Sequence, residues 1–283
     1  MLHIVTDGAV DCPAEWRDEY GIDVLPLYIQ IGDQTLVEGA NVSVDNFYGL
    51  VEKSQKPPKT SLPAPAQIVA FYRQIARPGD SILSIHIASK MSGTFAAVQL
   101  AAREVASEFP IHVFDSGAGS AALGFMCREA RRLERAGASI QKTLQRLEQA
   151  RQQLSVIFTL DTLYYAYLSG RISALKSAMG MLLRIKPIIV LRDGLLQMSE
   201  KVRTRSQSLD HIIQRTRERI KNQPVDLAIV HAAAPEAAQE LLQKVRQFFN
   251  VRDVIVTQLS LPVAANLGRG AVGIIAYPVL EEG

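Results

Sequence analysis

Two cysteines are all that the 283 residues contain, Cys12 and Cys127, and they stand far apart in unlike contexts. That excludes a disulfide framework, and no cysteine–histidine spacing suits zinc. Long hydrophobic runs are missing as well. No uninterrupted apolar segment reaches the roughly 18 residues that a membrane span needs. No basic stretch followed by an apolar one stands behind Met1, so no secretory leader is expected and the expected location is the cytoplasm. Charge of one sign is scarce. The balance of 31 Lys and Arg against 28 Asp and Glu leaves +3, and the basic stretches 128–135 and 215–221 are interleaved with Glu129, Glu134 and Glu218. A nucleic-acid binder concentrates its cations on one face, so no nucleic-acid partner is expected.

What is present is apolar material and alternation. Hydrophobic residues make up 48% and charged residues 21% of the chain, enough for a globular core and for a lipid-sized cavity. Leu2–Val5 reads as a strand ending at Thr6-Asp7-Gly8, Pro13–Glu19 as a short helix, and Ile22–Ile31 as a strand-like apolar stretch. Residues 54–65, rich in proline and lysine, read as loop. Ile68, Val69, Phe71, Tyr72 and Ile75 trace one helix face. Ser81–Ile87, Gly93–Phe109 and Ile111–Phe114 form a strand–helix–strand unit, which predicts parallel pairing. Helices over 120–135 and 139–153 follow, punctuated by Gly137.

From Val156 the rhythm changes. A strand (Val156–Leu160) and a short helix (Tyr164–Leu168) precede a Met- and Leu-rich stretch, Ser173–Leu183. Ile188–Leu191 and Gln197–Val202, joined at Asp193-Gly194, predict an antiparallel hairpin. A helix over Leu209–Ile220, a strand over Leu227–Val230, a helix opened by Pro235 and a strand over Asp253–Leu259 complete the pattern. The expected organisation is α/β with two domains, 1–153 with a mostly parallel sheet and 154–283 with a mixed one.

The most informative local feature is Ser89-Lys90-Met91-Ser92-Gly93-Thr94, between a strand end and a helix start. A helix N-terminus offers unpaired N–H groups and a positive dipole end, which hold carboxylates and phosphates. Ser92 adds a hydroxyl, and Gly93 allows close backbone approach. The bland alternative is that Ser92 only caps the helix. A second hydroxyl pair, Thr60-Ser61, precedes another helix, and in an open parallel sheet such loops gather beyond the strand ends.

Three enzyme-like patterns compete. Gly117-Ala118-Gly119-Ser120-Ala121-Ala122 fits a relaxed dinucleotide fingerprint, but two helices follow it and no acid-terminated strand comes about twenty residues on. Ser173-Ala174-Leu175-Lys176 matches S-x-x-K without its partner motifs. Ser92 stands outside any G-x-S-x-G elbow, and the five histidines form no pair with a Ser or Cys. No catalytic constellation, metal site or cofactor is expected. The stretch 177–189 could equally line an acyl channel, unbranched Met adapting to a flexible ligand, or form ordinary core.

The order of motifs carries more than any one of them. Ile4-Val5-Thr6-Asp7 with Asp11-Cys12-Pro13 resembles the opening T-D-S and D-L-P of the DegV family of bacterial fatty-acid-binding proteins. Lys59-Thr60-Ser61-Leu62-Pro63-Ala64-Pro65 is similar to its K-T-S-Q-P-S-P, and Ser89–Phe95 to its S-K-L-S-G-T-Y. Val113-Phe114-Asp115-Ser116, Ser169-Gly170-Arg171-Ile172, Ile185-Lys186-Pro187-Ile188 and Lys201-Val202-Arg203 match further family motifs in the right order, nearly end to end.

The resemblance implies two α/β domains with a long-chain fatty acid between them and no catalysis by the carrier itself. It implies that Thr60 and Ser92 hydrogen-bond the carboxylate, with the Gly93-Thr94 backbone beside them. Arg171 and Arg203 resemble positions that face the head group or a fatty acid kinase, to which such a carrier can present the bound acid. One departure stands out. The family's H-T-G-P-G is Asn266-Leu267-Gly268-Arg269-Gly270 here. Asn266 can still donate to a carboxylate but cannot titrate near neutral pH, and Arg269 adds a permanent charge. Binding of an acid head group is still expected, with Asn266 and Arg269 assisting, while service to a kinase is disfavoured. Gly8 stands where the family has Ser. The rival readings are a serine hydrolase or acyltransferase using Ser92, and a binder of another anionic metabolite such as a nucleotide.

Overall fold

The computed structural model describes residues 1–54, 56–173 and 185–280. Its first half runs β1 (Leu2–Asp7), α1 (Glu15–Glu19), β2 (Ile22–Leu25), β3 (Tyr28–Ile31), β4 (Gln34–Leu36), α2 (Val44–Ser54), β5 (Lys59–Ser61), α3 (Pro65–Ile75), β6 (Ser81–His86), α4 (Thr94–Glu104), β7 (Ile111–Asp115), α5 (Ala121–Arg135) and α6 (Ile140–Gln153). The second runs β8 (Ser155–Thr159), α7 (Tyr164–Ser169), β9 (Ile172–Ser173), β10 (Lys186–Arg192), β11 (Leu195–Val202), α8 (Arg205–Ile220), β12 (Val225–His231), α9 (Pro235–Phe248), β13 (Val251–Gln258), α10 (Leu261–Leu267) and β14 (Val272–Pro278).

The strand–helix–strand unit pairs as its spacing predicts: β6 and β7 lie parallel in a four-stranded sheet of order β2-β1-β6-β7, parallel throughout. Ile22–Ile31 is two strands rather than one. Pro26 has no N–H for a ladder, and at that point the chain leaves the sheet. β2 stays beside β1, while β3 enters a small antiparallel sheet of order β4-β3-β5. That sheet overturns a second expectation, because the proline-rich stretch read as loop contains β5, paired with β3 from Tyr28↔Ser61 to Gln30↔Lys59.

The second half builds a mixed seven-stranded sheet, β13-β12-β14-β8-β10-β11-β9. The expected hairpin is β10–β11, turning at Asp193 (φ 50°) and Gly194 (φ 76°), and Lys90 Nζ from the first half donates to Asp193 O at 2.7 Å. α8 starts on a reciprocal cap: Thr204 Oγ1 accepts the Gln207 N–H at 3.2 Å and Gln207 Oε1 accepts the Thr204 N–H at 3.3 Å. α8 and α9 bury Leu209, Ile212, Leu241 and Val245 against one face of this sheet. α3 and α4 bury Ile68, Tyr72 and Val98 against one face of the parallel sheet.

The largest apolar cluster belongs to neither half alone. It runs from Ile4 and Ile85 through Leu123 and Phe125 of α5 to Ile189, Val230, Ile275 and Tyr277. Polar groups bridge the same seam. Arg128 of α5 is buried, its guanidinium pairs with Asp226 of β12, and Nη1 reaches Asp253 at 2.9 Å. Arg252 Nε also donates to Asp226, at 2.8 Å, and Arg128 lies 4.6 Å from the Trp16 ring centre. A guanidinium keeps its charge and presents a flat face, so one side chain can pair and stack together.

Candidate functional site

A cavity, partly open to solvent, lies between the two halves. Its wall is mainly aliphatic, with Ile87 and Met91 from the first half and Leu191, Val230, Leu259 and Ile275 from the second. Five lining residues carry polar side chains: Thr60, Ser92, Ser120, Arg171 and Asn266. Four of these are residues that the sequence singles out, gathered from four separate segments.

Just after β5, which carries Thr60, the chain passes close to the Ser92 turn at Gly93. A Cβ on Gly93 would stand 3.3 Å from Leu62 Cδ2. α4 starts one residue later than expected, with Gly93 as its cap residue, and Ser92 accepts the Thr94 N–H at 3.2 Å. Ser92 Oγ also lies 2.8 Å from the Thr94 hydroxyl. Gly93 and Thr94 stand behind Ser92 rather than in the cavity wall. Asn266 Nδ2 donates to Pro262 O at 2.7 Å, so one of its two N–H bonds is committed to its own helix. Arg171 is exposed, and its guanidinium caps Ser169 O.

Arg269 does not join the group. It sits between Gly268 (φ 81°) and Gly270 (φ 84°), which turn the chain so that its side chain leaves toward Glu52 at 3.5 Å and over the Tyr48 ring at 5.8 Å. Arg203 also lies outside the wall and is exposed. Gly8 has a steric reason: a Cβ there would stand 3.1 Å from the backbone N of Leu27, a cavity residue. Residues 174–184, which hold Lys176 of the S-x-x-K pattern and Met179, Met181, Leu182 and Leu183 of the expected channel, lie outside the described residues.

Sequence reasoning missed a buried polar node behind the wall. Ser120 holds φ 61°, rare for a residue with a Cβ, and its hydroxyl donates to Asp11. Asp11 Oδ1 accepts the Ser260 N–H at 2.6 Å, and Glu38 accepts the Leu261 N–H at 2.7 Å. Two carboxylates of the first half therefore hold the start of α10, whose Pro262, Val263, Asn266 and Leu267 line the cavity. Ser260 followed by Pro262 is a helix-start signal that could have revealed α10. Nothing local marks Asp11, because its burial is created by chain segments over a hundred residues away.

Burial pushes the Asp11 carboxyl up from the usual 3.8 to about 7, against the opposing hydrogen bonds of Ser120 and Ser260. The folded chain then holds this proton more tightly than the unfolded chain. Its contribution to stability is complete below the unfolded value, falls as pH rises toward about 7, and is flat above. Between pH 5 and 8 the wild type is expected to lose about 2.5 kcal/mol more than Asp11→Asn, measured by urea unfolding at each pH. Parallel profiles for the two proteins would show that Asp11 does not titrate in that range.

The hydrolase reading loses its geometry. Contrary to the expectation that no histidine pairs with a serine, Ser84, His86 and Asp7 are linked in the order of a hydrolase triad, with Ser84 Oγ 2.7 Å from His86 Nε2 and His86 Nδ1 3.0 Å from Asp7. All three are fully buried, Tyr72 closes the far end at 2.8 Å, and none lines the cavity. The role of Asp7 is structural: its carboxylate also accepts the N–H groups of Ile87 and Ala9, each at 3.0 Å, which sets two cavity residues. In the 117–122 segment Ala118, Ala121 and Ala122 are fully buried, Gly119 and Ser120 line the apolar cavity, and Gly117 lines a separate polar pocket. Among the described residues no group of three metal-ligating side chains comes together, and no helix is long and apolar enough to cross a membrane.

A parallel four-stranded sheet and a mixed seven-stranded sheet enclosing an apolar cavity with hydroxyls in its wall define an α/β protein with an internal pocket. The model of the DegV family, described as an uncharacterised protein family, matches residues 1–279. The chain belongs to the DegV family. A DegV domain-containing protein of Streptomyces coelicolor is 33% identical over 274 residues, 96% of each chain. Protein DegV of Bacillus subtilis is 29% identical over 96% of this chain and 98% of its own. The crystal structure of that protein, a fatty acid binding protein, aligns with a TM-score of 0.88 over 98% of this chain and 99% of its own, at 28% identity. A DegV family protein of Thermus thermophilus, solved for its fatty acid binding, aligns with a TM-score of 0.90 at 27% identity, over 98% and 99% of the two chains.

Proposed function

We propose that this chain binds one long-chain fatty acid as a non-enzymatic carrier. Residues 1–153 would supply the hydroxyls that hold the carboxylate and residues 154–283 most of the wall around the tail. The observation that carries the reading is that Thr60 and Ser92 line one cavity whose wall is mainly aliphatic. The fatty acid binding of the Thermus and Bacillus relatives supports it. Arg171 supplies positive charge in the same wall, and Asn266 keeps one N–H to donate.

The energetics favour such a ligand. Each buried CH₂ contributes about 0.8 kcal/mol, so a long tail binds tightly with few polar contacts. A hydrolase would need a base beside Ser92, and among the described residues its hydroxyl meets only Thr94. A second step, presentation of the acid to a kinase, has less support, because Asn266 offers no titrating group there.

Mass spectrometry of the purified protein, native and then after solvent extraction, tests the reading. The expected result is one fatty acid per chain. An empty protein that also refuses added fatty acids would overturn it.

A further inference from the structure

We propose that Thr94 fixes the direction of the Ser92 hydroxyl proton, making Ser92 an obligate hydrogen-bond donor and the cavity selective for an ionised carboxylate over an uncharged head group. This rests on the carrier reading and adds to it a positioning residue that never touches the ligand.

The argument is a count of protons and lone pairs. A hydroxyl has one proton to give and two lone pairs to receive. Ser92 Oγ receives the Thr94 N–H at 3.2 Å, and it shares a 2.8 Å contact with the Thr94 hydroxyl that either oxygen could donate. Thr94 is fully buried, and among the described residues its hydroxyl has no partner but Ser92. Were Ser92 the donor, the Thr94 proton would be left buried and unpaired, which is costly. With Thr94 as donor every group is satisfied. Both lone pairs of Ser92 are then filled, and its own proton has one free direction, into the cavity that Ser92 lines.

The consequence is chemical selectivity. A carboxylate only accepts, so it matches an obligate donor, the uncommitted Thr60 hydroxyl and the Arg171 cation in the same wall. A fatty alcohol can also accept from Ser92, but it brings no charge to meet Arg171, and its own proton must be received by Thr60 because Ser92 has no lone pair left. The valine at position 94 in a Thr94→Val variant would keep the shape but return one lone pair to Ser92 and release its proton from a fixed direction.

The test compares oleate with oleyl alcohol by fluorescence titration, in wild type, Thr94→Val and Thr94→Ser. In Thr94→Val the oleate affinity is expected to fall about fivefold, the size of the neutral hydrogen bond that directs Ser92, since the Ser92–carboxylate bond is loosened rather than removed. The alcohol affinity should change by less than about twofold, and Thr94→Ser should restore the wild-type preference. Should valine pack badly, Thr94→Ala is expected to give the same loss of preference. Equal losses for both probes, or no loss for oleate, would overturn the role of Thr94 and leave the carrier reading intact. A wild-type chain that binds the alcohol as tightly as oleate would overturn the selectivity. One that binds neither would overturn the carrier reading as well.

Discussion

Ser92→Ala combined with Thr60→Ala is expected to weaken long-chain fatty acid binding by about a hundredfold or more while leaving the fold in place. Each hydroxyl removed costs a hydrogen bond to a charged acceptor, about 1.5–3 kcal/mol, and two such losses exceed the 2.7 kcal/mol that corresponds to a hundredfold. The tail contacts are untouched, so residual binding persists through the aliphatic wall. The fold survives because Thr60 lies in a three-residue strand held by backbone pairing, and Ser92 gives its own backbone little beyond one bond from Thr94. Isothermal titration with matched unfolding curves measures both quantities. Unchanged affinity in a folded double variant would remove these residues from the head-group site.

Arg128→Ala should lower stability strongly, by about 3–5 kcal/mol in urea unfolding. The side chain is buried where the two halves meet, and its removal leaves Asp226 fully buried with half its positive partners gone. Arg252 still pairs with Asp226, which places the expected loss toward the lower end of that range. Replacing both charges, Arg128→Met with Asp226→Leu, should bring stability back to within about 1.5 kcal/mol of wild type, because the charges left behind, Arg252 and Asp253, are each nearly half exposed and can be hydrated. A loss below about 1 kcal/mol in the single variant would mean that the seam is held by its apolar contacts alone.

Regular alternation made much of this fold legible. The unit β6–α4–β7 announced itself by strand and helix periods in succession, and Asp193-Gly194 announced its hairpin by turn chemistry. Elements that lack internal period did not. β5 has three residues inside a proline-rich stretch, and the boundary between β2 and β3 is a single proline inside an apolar run. In the cavity wall, Ser92 was legible because it sits where a turn feeds a helix, a local property, and Thr60 because its hydroxyl pair precedes α3, although the strand that carries it was not. Asp11 and Glu38 were not, since what distinguishes them is the α10 backbone brought to them across more than two hundred residues. Arg269 shows the opposite error of inference: its charge was visible, but its direction is set by the glycines on either side.

The apolar cluster that runs from Ile4 to Tyr277 shares Leu27, Leu196, Val230 and Leu259 with the cavity wall. Ligand length and protein stability are therefore adjusted by the same atoms. Trimming a wall leucine to alanine to admit a longer acid removes core packing at a cost of about 2–5 kcal/mol in the empty protein. Three or four additional CH₂ groups on the ligand give back about 2.4–3.2 kcal/mol, and only while the ligand is bound. A variant tuned for longer chains thus becomes a protein whose folding depends on its cargo, and drift in chain-length preference is confined to steps that the empty fold can survive.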